Sequence, residues 1–93
     1  MKKPSKPLEI SIRASNQLGQ AIERARKRLD LSQTLLAKSA GTRQATISNI
    51  EKGIGSTKIE TLFAICAALG IEVVLRERAS SSKKPSSTQS WFE

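Results

Sequence analysis

The sequence predicts a mainly α-helical domain of four to five short helices with two short flanking β-strands. Three observations predict this fold. Apolar residues recur at spacings of three and four through the middle of the chain, which is the period of an amphipathic helix. Gly41 interrupts this pattern between two short amphipathic segments of the stretch 31–53. Residues 8–13 and 71–76 instead alternate apolar and polar side chains, as half-buried strands do.

The two ends of the chain differ in composition from its centre. Residues 1–7, MKKPSKP, hold three Lys and two Pro, and residues 79–93 are rich in Ser and polar up to their last three positions. Such segments cannot bury enough apolar surface to fold by themselves. We therefore expect a flexible basic arm at 1–7, a folded domain at 8–78 and a disordered tail at 79–93.

The first two helices have clear start and stop signals. The first is predicted to begin near Ser15 or Asn16, either a good N-cap, and to end at Asp30, which tolerates the left-handed conformation better than most residues. The second is predicted to be capped by Ser32 and to end at Gly41, which has no Cβ to hinder a left-handed turn. The residues expected to face inward from these two helices are Leu18, Ile22, Ala25, Leu29, Leu35, Leu36 and Ala40.

The third helix is predicted to span about residues 43–52 and to stop at Gly53. The fourth is predicted to open at a capping box, Thr57-Lys58-Ile59-Glu60, and to stop at Gly70. The apolar residues expected to face inward from the two helices are Ile47, Ile50, Ile59, Leu62, Phe63, Ile65, Cys66 and Leu69.

The stretch 31–53 has the organisation of a helix-turn-helix, whose first helix contacts the DNA backbone and whose second lies in the major groove. The second helix of this motif is the third predicted helix of the chain, at about residues 43–52. Its exposed face is predicted to carry four small or amide side chains, Gln44, Ala45, Ser48 and Asn49. A Gln or Asn amide can pair with N6 and N7 of adenine, and an Ala methyl can pack on the thymine methyl. We expect these four residues to contact bases; the alternative is that they are merely solvated.

The net charge supports a polyanionic partner. Sixteen Lys and Arg against eight Asp and Glu give +8 at pH 7, and the central part of the chain is itself basic. Charge alone does not distinguish nucleic-acid binding from solubility. The residues predicted to contact phosphates, each of which could instead be solvated, are Lys38, Arg43, Thr46, Lys52 and Lys58.

The composition argues against an enzyme. There is no His, so a Cys/His metal site is excluded, and the one Cys cannot form an internal disulfide. Cys66 lies on an apolar helical face, so we interpret it as an inert core thiol. No cofactor or metal is expected. No apolar run approaches the ~18 residues of a membrane span, and the start of the chain lacks an apolar signal core, so we expect a cytoplasmic, nucleoid-associated protein.

Residues 18–53 resemble the Xre or lambda-repressor-like helix-turn-helix family. The resemblance is carried by Leu18-Gly19-x-x-Ile22, Arg26-Lys27, Leu31-Ser32-Gln33-x-x-Leu36-Ala37, Ala40-Gly41 and Thr46-Ile47-Ser48-x-Ile50-Glu51-x-Gly53. It implies a helical unit over roughly residues 15–70. It also implies that Gln33 contacts a phosphate while bracing the first Gln of the recognition helix, and that Arg26 and Glu51 form a buried structural pair.

Three features are similar to HipB-type antitoxins: the recognition segment GTRQATISN, the strand-like segment after the fourth helix and a short tail with Trp91 near its end. This resemblance implies a dimer that binds DNA, pairs with a HipA-like Ser/Thr kinase toxin and represses its own operon. The chain departs from the pattern in its N-terminal strand-like segment and in the residues Phe92 and Glu93 that follow the Trp. Trp91 and Phe92 are interpreted as an anchor for a partner, or else as a chain end without a role.

The predicted function is therefore a dimeric repressor and antitoxin. Two-fold dimers on inverted-repeat DNA are the usual route to specificity for a helix-turn-helix. Ile71, Val73 and Leu75 are expected to form the dimer seam, because they share one face of the second strand. The alternatives are a prophage-type Xre repressor without a toxin, or a module that mainly neutralises an enzyme.

Overall fold

A computed structural model describes residues 7–78 of the chain. Four α-helices occupy this part: α1 (Ser15–Arg28), α2 (Gln33–Ala40), α3 (Gln44–Lys52) and α4 (Ile59–Leu69). α3 packs against α1 and α2, and α4 packs mainly against α2. The mainly helical fold predicted from the sequence is confirmed. The tail 79–93, with Trp91 and Phe92, and most of the predicted basic arm lie outside the described residues.

Each helix supplies one large side chain with no exposed surface to a common core. These residues are Ile22 of α1, Leu36 of α2, Ile47 of α3 and Ile65 of α4. Burying a side chain of this size stabilises a fold by about 1.5–3 kcal/mol. The core therefore joins α2 and α3 rigidly to the two helices behind them. No helix within residues 7–78 is long and apolar enough to cross a membrane.

The turns around α2 form as predicted. The Ser32 hydroxyl accepts a hydrogen bond from the Leu35 amide at 3.0 Å and so caps the helix. Gly41 ends α2 in the left-handed conformation, with φ of 71°. Asp30 takes the same conformation after α1, with φ of 60°, so the predicted non-glycine stop is confirmed.

Two predicted N-caps are wrong. α1 is preceded by Ala14 rather than capped by Ser15 or Asn16, and the Gln17 side chain accepts a hydrogen bond from the amide of Arg13, which lies before the helix. α4 starts one residue later than a capping box would require. Its N-cap is Lys58, which makes no side-chain cap hydrogen bond. The third helix has Arg43 as its N-cap and begins at Gln44, within a residue of the prediction.

Three apolar side chains predicted to face inward are exposed instead. Leu35 is 52% exposed, Ile59 68% and Phe63 52%. Helical periodicity locates an apolar stripe but does not show how much of its width a neighbour covers. Leu36 takes the inward position of the short helix α2, and α4 has α2 as its main neighbour, so one flank of its apolar face stays open.

The two predicted strands are absent from the described residues, where neither 8–13 nor 71–76 has strand structure. A strand requires a partner for its backbone hydrogen bonds, and alternation of side chains alone does not supply one. Leu8 and Ile71 pack against the core. A long contact of 3.5 Å between Glu9 Oε2 and Arg76 Nη1 places the two segments beside each other.

Gly19 marks the closest approach of α1 to α3. A Cβ at this position would collide with the carbonyl oxygen of Ile50 and lie 3.0 Å from that of Glu51. Both of these atoms belong to the backbone and cannot rotate away. The missing side chain of Gly19 therefore lets the end of the third helix lie directly on the first.

We expect Gly19→Ala to lower the free energy of unfolding by about 2 kcal/mol. Overpacking costs about 1–3 kcal/mol, and the collision here is with backbone, which outweighs the gain of about 1 kcal/mol in helix propensity. Urea titration followed by circular dichroism measures the change. Gln20→Ala, at the exposed next position, is the control and should stay within about 0.5 kcal/mol of wild type. Equal stability of Gly19→Ala and wild type would contradict the close approach.

Candidate nucleic-acid interface

One side of α3 faces solvent along the whole helix. Gln44, Ala45 and Asn49 are exposed and Ser48 is partly exposed, while Ile47 on the opposite side is fully buried. Residues at positions i, i+1, i+4 and i+5 lie on one face of a helix. The four predicted base-contacting side chains therefore form a single surface strip, and the core fixes the helix that carries them.

The stretch 31–58, which contains this strip, carries exposed positive charge and no exposed carboxylate. Glu51 is the one acidic residue in the stretch 31–58, and it is buried. The predicted phosphate-contacting residues that are exposed in the structure are Lys38, Arg43, Lys52 and Lys58. Thr46 and Gln33 are partly buried. Nothing in this stretch would repel a phosphate backbone that approached α3.

A buried salt bridge holds α3 against α1. Arg26 and Glu51 are each 8% exposed. The Arg26 Nε donates to Glu51 Oε2 at 2.7 Å, and Nη2 donates to Oε1 at 3.0 Å. The Glu51 hydrogen bond raises the pKa of the Arg26 guanidinium, against the opposing effect of burial. Arg26 Nη1 also donates to the carbonyl of Leu31 at 2.8 Å, so the same side chain fixes the loop that leads into α2.

A chain of hydrogen bonds leads from this pair to the surface. The Gln33 Nε2 donates to Glu51 Oε1 at 3.0 Å. The Gln44 Nε2 in turn donates to Gln33 Oε1 at 2.6 Å. The first residue of α2 and the first residue of α3 are therefore joined side chain to side chain, and both are connected to the buried carboxylate.

The Cys66 thiol has the character of a core side chain. It is 4% exposed, and burial raises its pKa, so the reactive thiolate is disfavoured. Within residues 7–78 no cluster of three or more His, Cys, Asp or Glu side chains could hold a metal ion.

Two contributors to this arrangement were not predicted from the sequence. Gly19 appeared in the family pattern without a role, although a Gly in the interior of a helix is itself a signal of close packing. The hydrogen bond from Gln33 to Glu51 joins residues 18 positions apart. Neither periodicity nor residue type indicates such a contact, because it depends on how α2 crosses α3.

Comparison with known proteins agrees with this geometry. A helix-turn-helix family model matches residues 22–75. Antitoxin HipB of Escherichia coli strain K12 is 35% identical over 78 residues, which cover 84% of this chain and 86% of HipB. The chain belongs to the helix-turn-helix family and is a relative of the HipB antitoxins.

Solved structures of HipB superpose on most of the chain. HipB in a complex with an O4 20mer gives a TM-score of 0.68 at 33% identity, covering 74% of this chain and 97% of HipB. HipB in a HipA-HipB-O2-O3 complex gives the same score, identity and coverage. The resemblance to HipB-type antitoxins stated from sequence motifs is confirmed.

We expect Arg26→Ala to lower the free energy of unfolding by about 3–5 kcal/mol, because it leaves the Glu51 carboxylate buried without a counter-charge. Thermal and urea denaturation measure this loss. Lys27→Ala is the matched control, since Lys27 makes an exposed salt bridge to Glu23 at 3.0 Å. That variant should cost at most about 0.5 kcal/mol. Similar small losses in both variants would show that the Arg26 pair is not buried in solution.

Proposed function

We propose that this protein is a sequence-specific DNA-binding repressor that acts as the antitoxin of a HipA-like Ser/Thr kinase and represses its own operon. The observation that carries the DNA-binding part is the exposed face of α3, where amide and small side chains lie amid cations and no exposed carboxylate. This is the chemistry that major-groove recognition requires. A protein with this function acts in the cytoplasm, at the nucleoid, and we propose that location for it.

Base contacts are assigned to the strip on α3. Gln44 and Asn49 carry amides that can accept from N6 and donate to N7 of adenine, and Ala45 offers a methyl to thymine. Ser48, one turn from Gln44, can donate or accept. A non-specific architectural protein is disfavoured, because non-specific affinity comes from Lys and Arg on phosphates, whereas the exposed face of α3 carries amides rather than continuous Lys and Arg.

Phosphate contacts are assigned to the rim of the strip. Arg43 precedes α3, Lys52 ends it, and Lys38 and Lys58 are exposed on the flanking elements. Thr46 and Gln33 offer neutral hydrogen-bond donors beside them. These contacts supply affinity and orientation, whereas the bases read by α3 supply specificity.

The DNA-binding unit is proposed to be a homodimer on an inverted repeat. Val73 is 50% exposed and Leu75 94% exposed, and Ile59 and Phe63 leave part of α4 uncovered. Exposed large apolar side chains on both of these elements are candidates for an interaction surface. A second copy is the natural occupant, because a symmetric dimer would present two α3 helices to successive major grooves. Ile71, the third residue proposed for the seam, also packs against the core of its own chain.

The antitoxin role rests on the HipB relatives. HipB is named an antitoxin and has been solved together with HipA. The 78 aligned residues span 86% of HipB, so the comparison extends over nearly the whole relative. Trp91 and Phe92, which lie outside the described residues, are proposed as the anchor for the kinase, because large aromatic side chains are the residue type that most often fills a partner's pocket.

We expect Gln44→Ala to weaken binding to the preferred duplex by about 1–3 kcal/mol and to leave binding to random DNA unchanged. The preferred duplex is first selected from a random pool and from the DNA upstream of the protein's own gene. Fluorescence anisotropy then gives both affinities. Lys52→Ala is the comparison variant and should weaken binding to both duplexes alike. If wild type selects no sequence, the proposed function is wrong.

We expect Val73→Asp to raise the dissociation constant of the dimer at least tenfold, because it places a charge on the surface assigned to the seam. Sedimentation equilibrium measures the constant. Glu72→Ala, at the exposed neighbouring position, should leave it within a factor of about two. A dimer of unchanged affinity in Val73→Asp would move the interface to Ile59 and Phe63 of α4.

A further inference from the structure

The hydrogen bonds that lead from Arg26 to Gln44 have a fixed direction. A guanidinium can only donate and a carboxylate can only accept. Glu51 Oε1 already accepts from Arg26 Nη2, and the Gln33 side chain meets that same oxygen at 3.0 Å. The Gln33 oxygen there would place two acceptors against each other, so the Gln33 nitrogen must face Glu51. A buried charge pair thereby sets the orientation of a partly buried amide.

The orientation of the Gln33 amide fixes the orientation of the Gln44 amide. With its nitrogen on Glu51, Gln33 presents Oε1 to the start of α3, and Oε1 can only accept. Gln44 must therefore turn its own nitrogen inward, as the hydrogen bond of 2.6 Å shows. One N–H of Gln44 is used in this way. The second N–H and the whole carbonyl oxygen stay available on the exposed side.

We propose that Glu51, acting through Gln33, is a positioning residue for base specificity: it restricts Gln44 to one donor and one acceptor and so makes it select adenine over guanine. This inference rests on the proposed DNA-binding function. Adenine offers an N6 donor and an N7 acceptor, which match the free edge of Gln44, whereas guanine offers two acceptors, O6 and N7. A Gln free to turn could offer both of its N–H groups to guanine. The buried salt bridge removes that choice.

The test compares four duplexes that differ only at the base pair whose preference Gln44→Ala abolishes. Wild type should prefer adenine over guanine there by about tenfold or more. Gln33→Met removes both hydrogen bonds while Arg26 and Glu51 stay paired, and it should cut this ratio to about threefold or less. Thr34→Ala, at the exposed next position of α2, should retain the wild-type ratio.

Glu51→Gln tests whether the carboxylate sets the donor-to-acceptor order of the hydrogen bonds through Gln33 to Gln44. An amide at position 51 can keep its oxygen on Arg26 Nε and turn its nitrogen toward Gln33, at the cost of the bond from Arg26 Nη2. Both glutamines can then reverse and Gln44 can expose both N–H groups, so the adenine-to-guanine ratio should fall. If this variant does not fold, Gln33→Met decides the matter alone. Two results would overturn the inference while leaving DNA binding intact. One is a folded Gln33→Met variant with the wild-type adenine-to-guanine ratio. The other is a Gln44→Ala variant that keeps the base preference of wild type at every position of the preferred duplex. Absence of any preferred duplex for wild type would instead overturn the proposed function, and this inference with it.

Discussion

The salt bridge between Arg26 and Glu51 lies where α1, the loop after it, α2 and α3 meet. Arg26 donates hydrogen bonds to the Glu51 carboxylate and to the Leu31 carbonyl, so one side chain fixes both α3 and the loop before α2. Taking two charges out of water costs about as much as their attraction returns, and an intact buried pair adds little net stability. Its effect is on geometry, because any displacement of α3 that separated the two groups would strand a buried charge.

The same pair shapes the surface that faces the proposed DNA. Burying Glu51 removes the one carboxylate of the helix-turn-helix stretch from the surface, so the exposed charges of that stretch are all Lys and Arg side chains. Gly19 permits this arrangement, because a side chain there would push the end of α3 away from α1. Packing, charge and the orientation of Gln44 therefore depend on one contact between the first and third helices.

The sequence predicts those features that depend on local chemistry. Ser32, Gly41 and Asp30 take the capping and turn conformations expected of their residue types, and each of the four helices is present in the described residues. It does not predict features that depend on what lies opposite. Phe63 has the spacing of a core residue and is exposed, because nothing within residues 7–78 covers that flank of α4. The alternation in 71–76 has the period of a strand, but no backbone partner within residues 7–78 completes it.

The candidate site likewise has features that the sequence predicts and features that it does not. The residue types and spacing on α3 predict a strip of Gln44, Ala45, Ser48 and Asn49, which the structure places on one exposed face. The family resemblance implies that Gln33 braces the first Gln of the recognition helix, and Gln44 does donate a hydrogen bond to Gln33. The bond from Gln33 to Glu51 could not be predicted, because it joins elements whose crossing angle is set by the core. A long-range contact between polar side chains leaves no periodic trace in a sequence.

Hydrogen exchange of the Arg26 Nε–H, followed by NMR on ¹⁵N-labelled protein, tests the role of the buried pair most directly. The Nε–H donates to Glu51 Oε2 at 2.7 Å in a site that is nearly closed to water. Relative to the intrinsic exchange rate of its own kind of N–H group, it should be protected as strongly as the backbone amide of the buried Ile47, because we expect the salt bridge and the core around it to open together. Exchange as fast as that of the exposed Arg24, in a protein whose Ile47 amide stays protected, would show that α3 is held without this salt bridge.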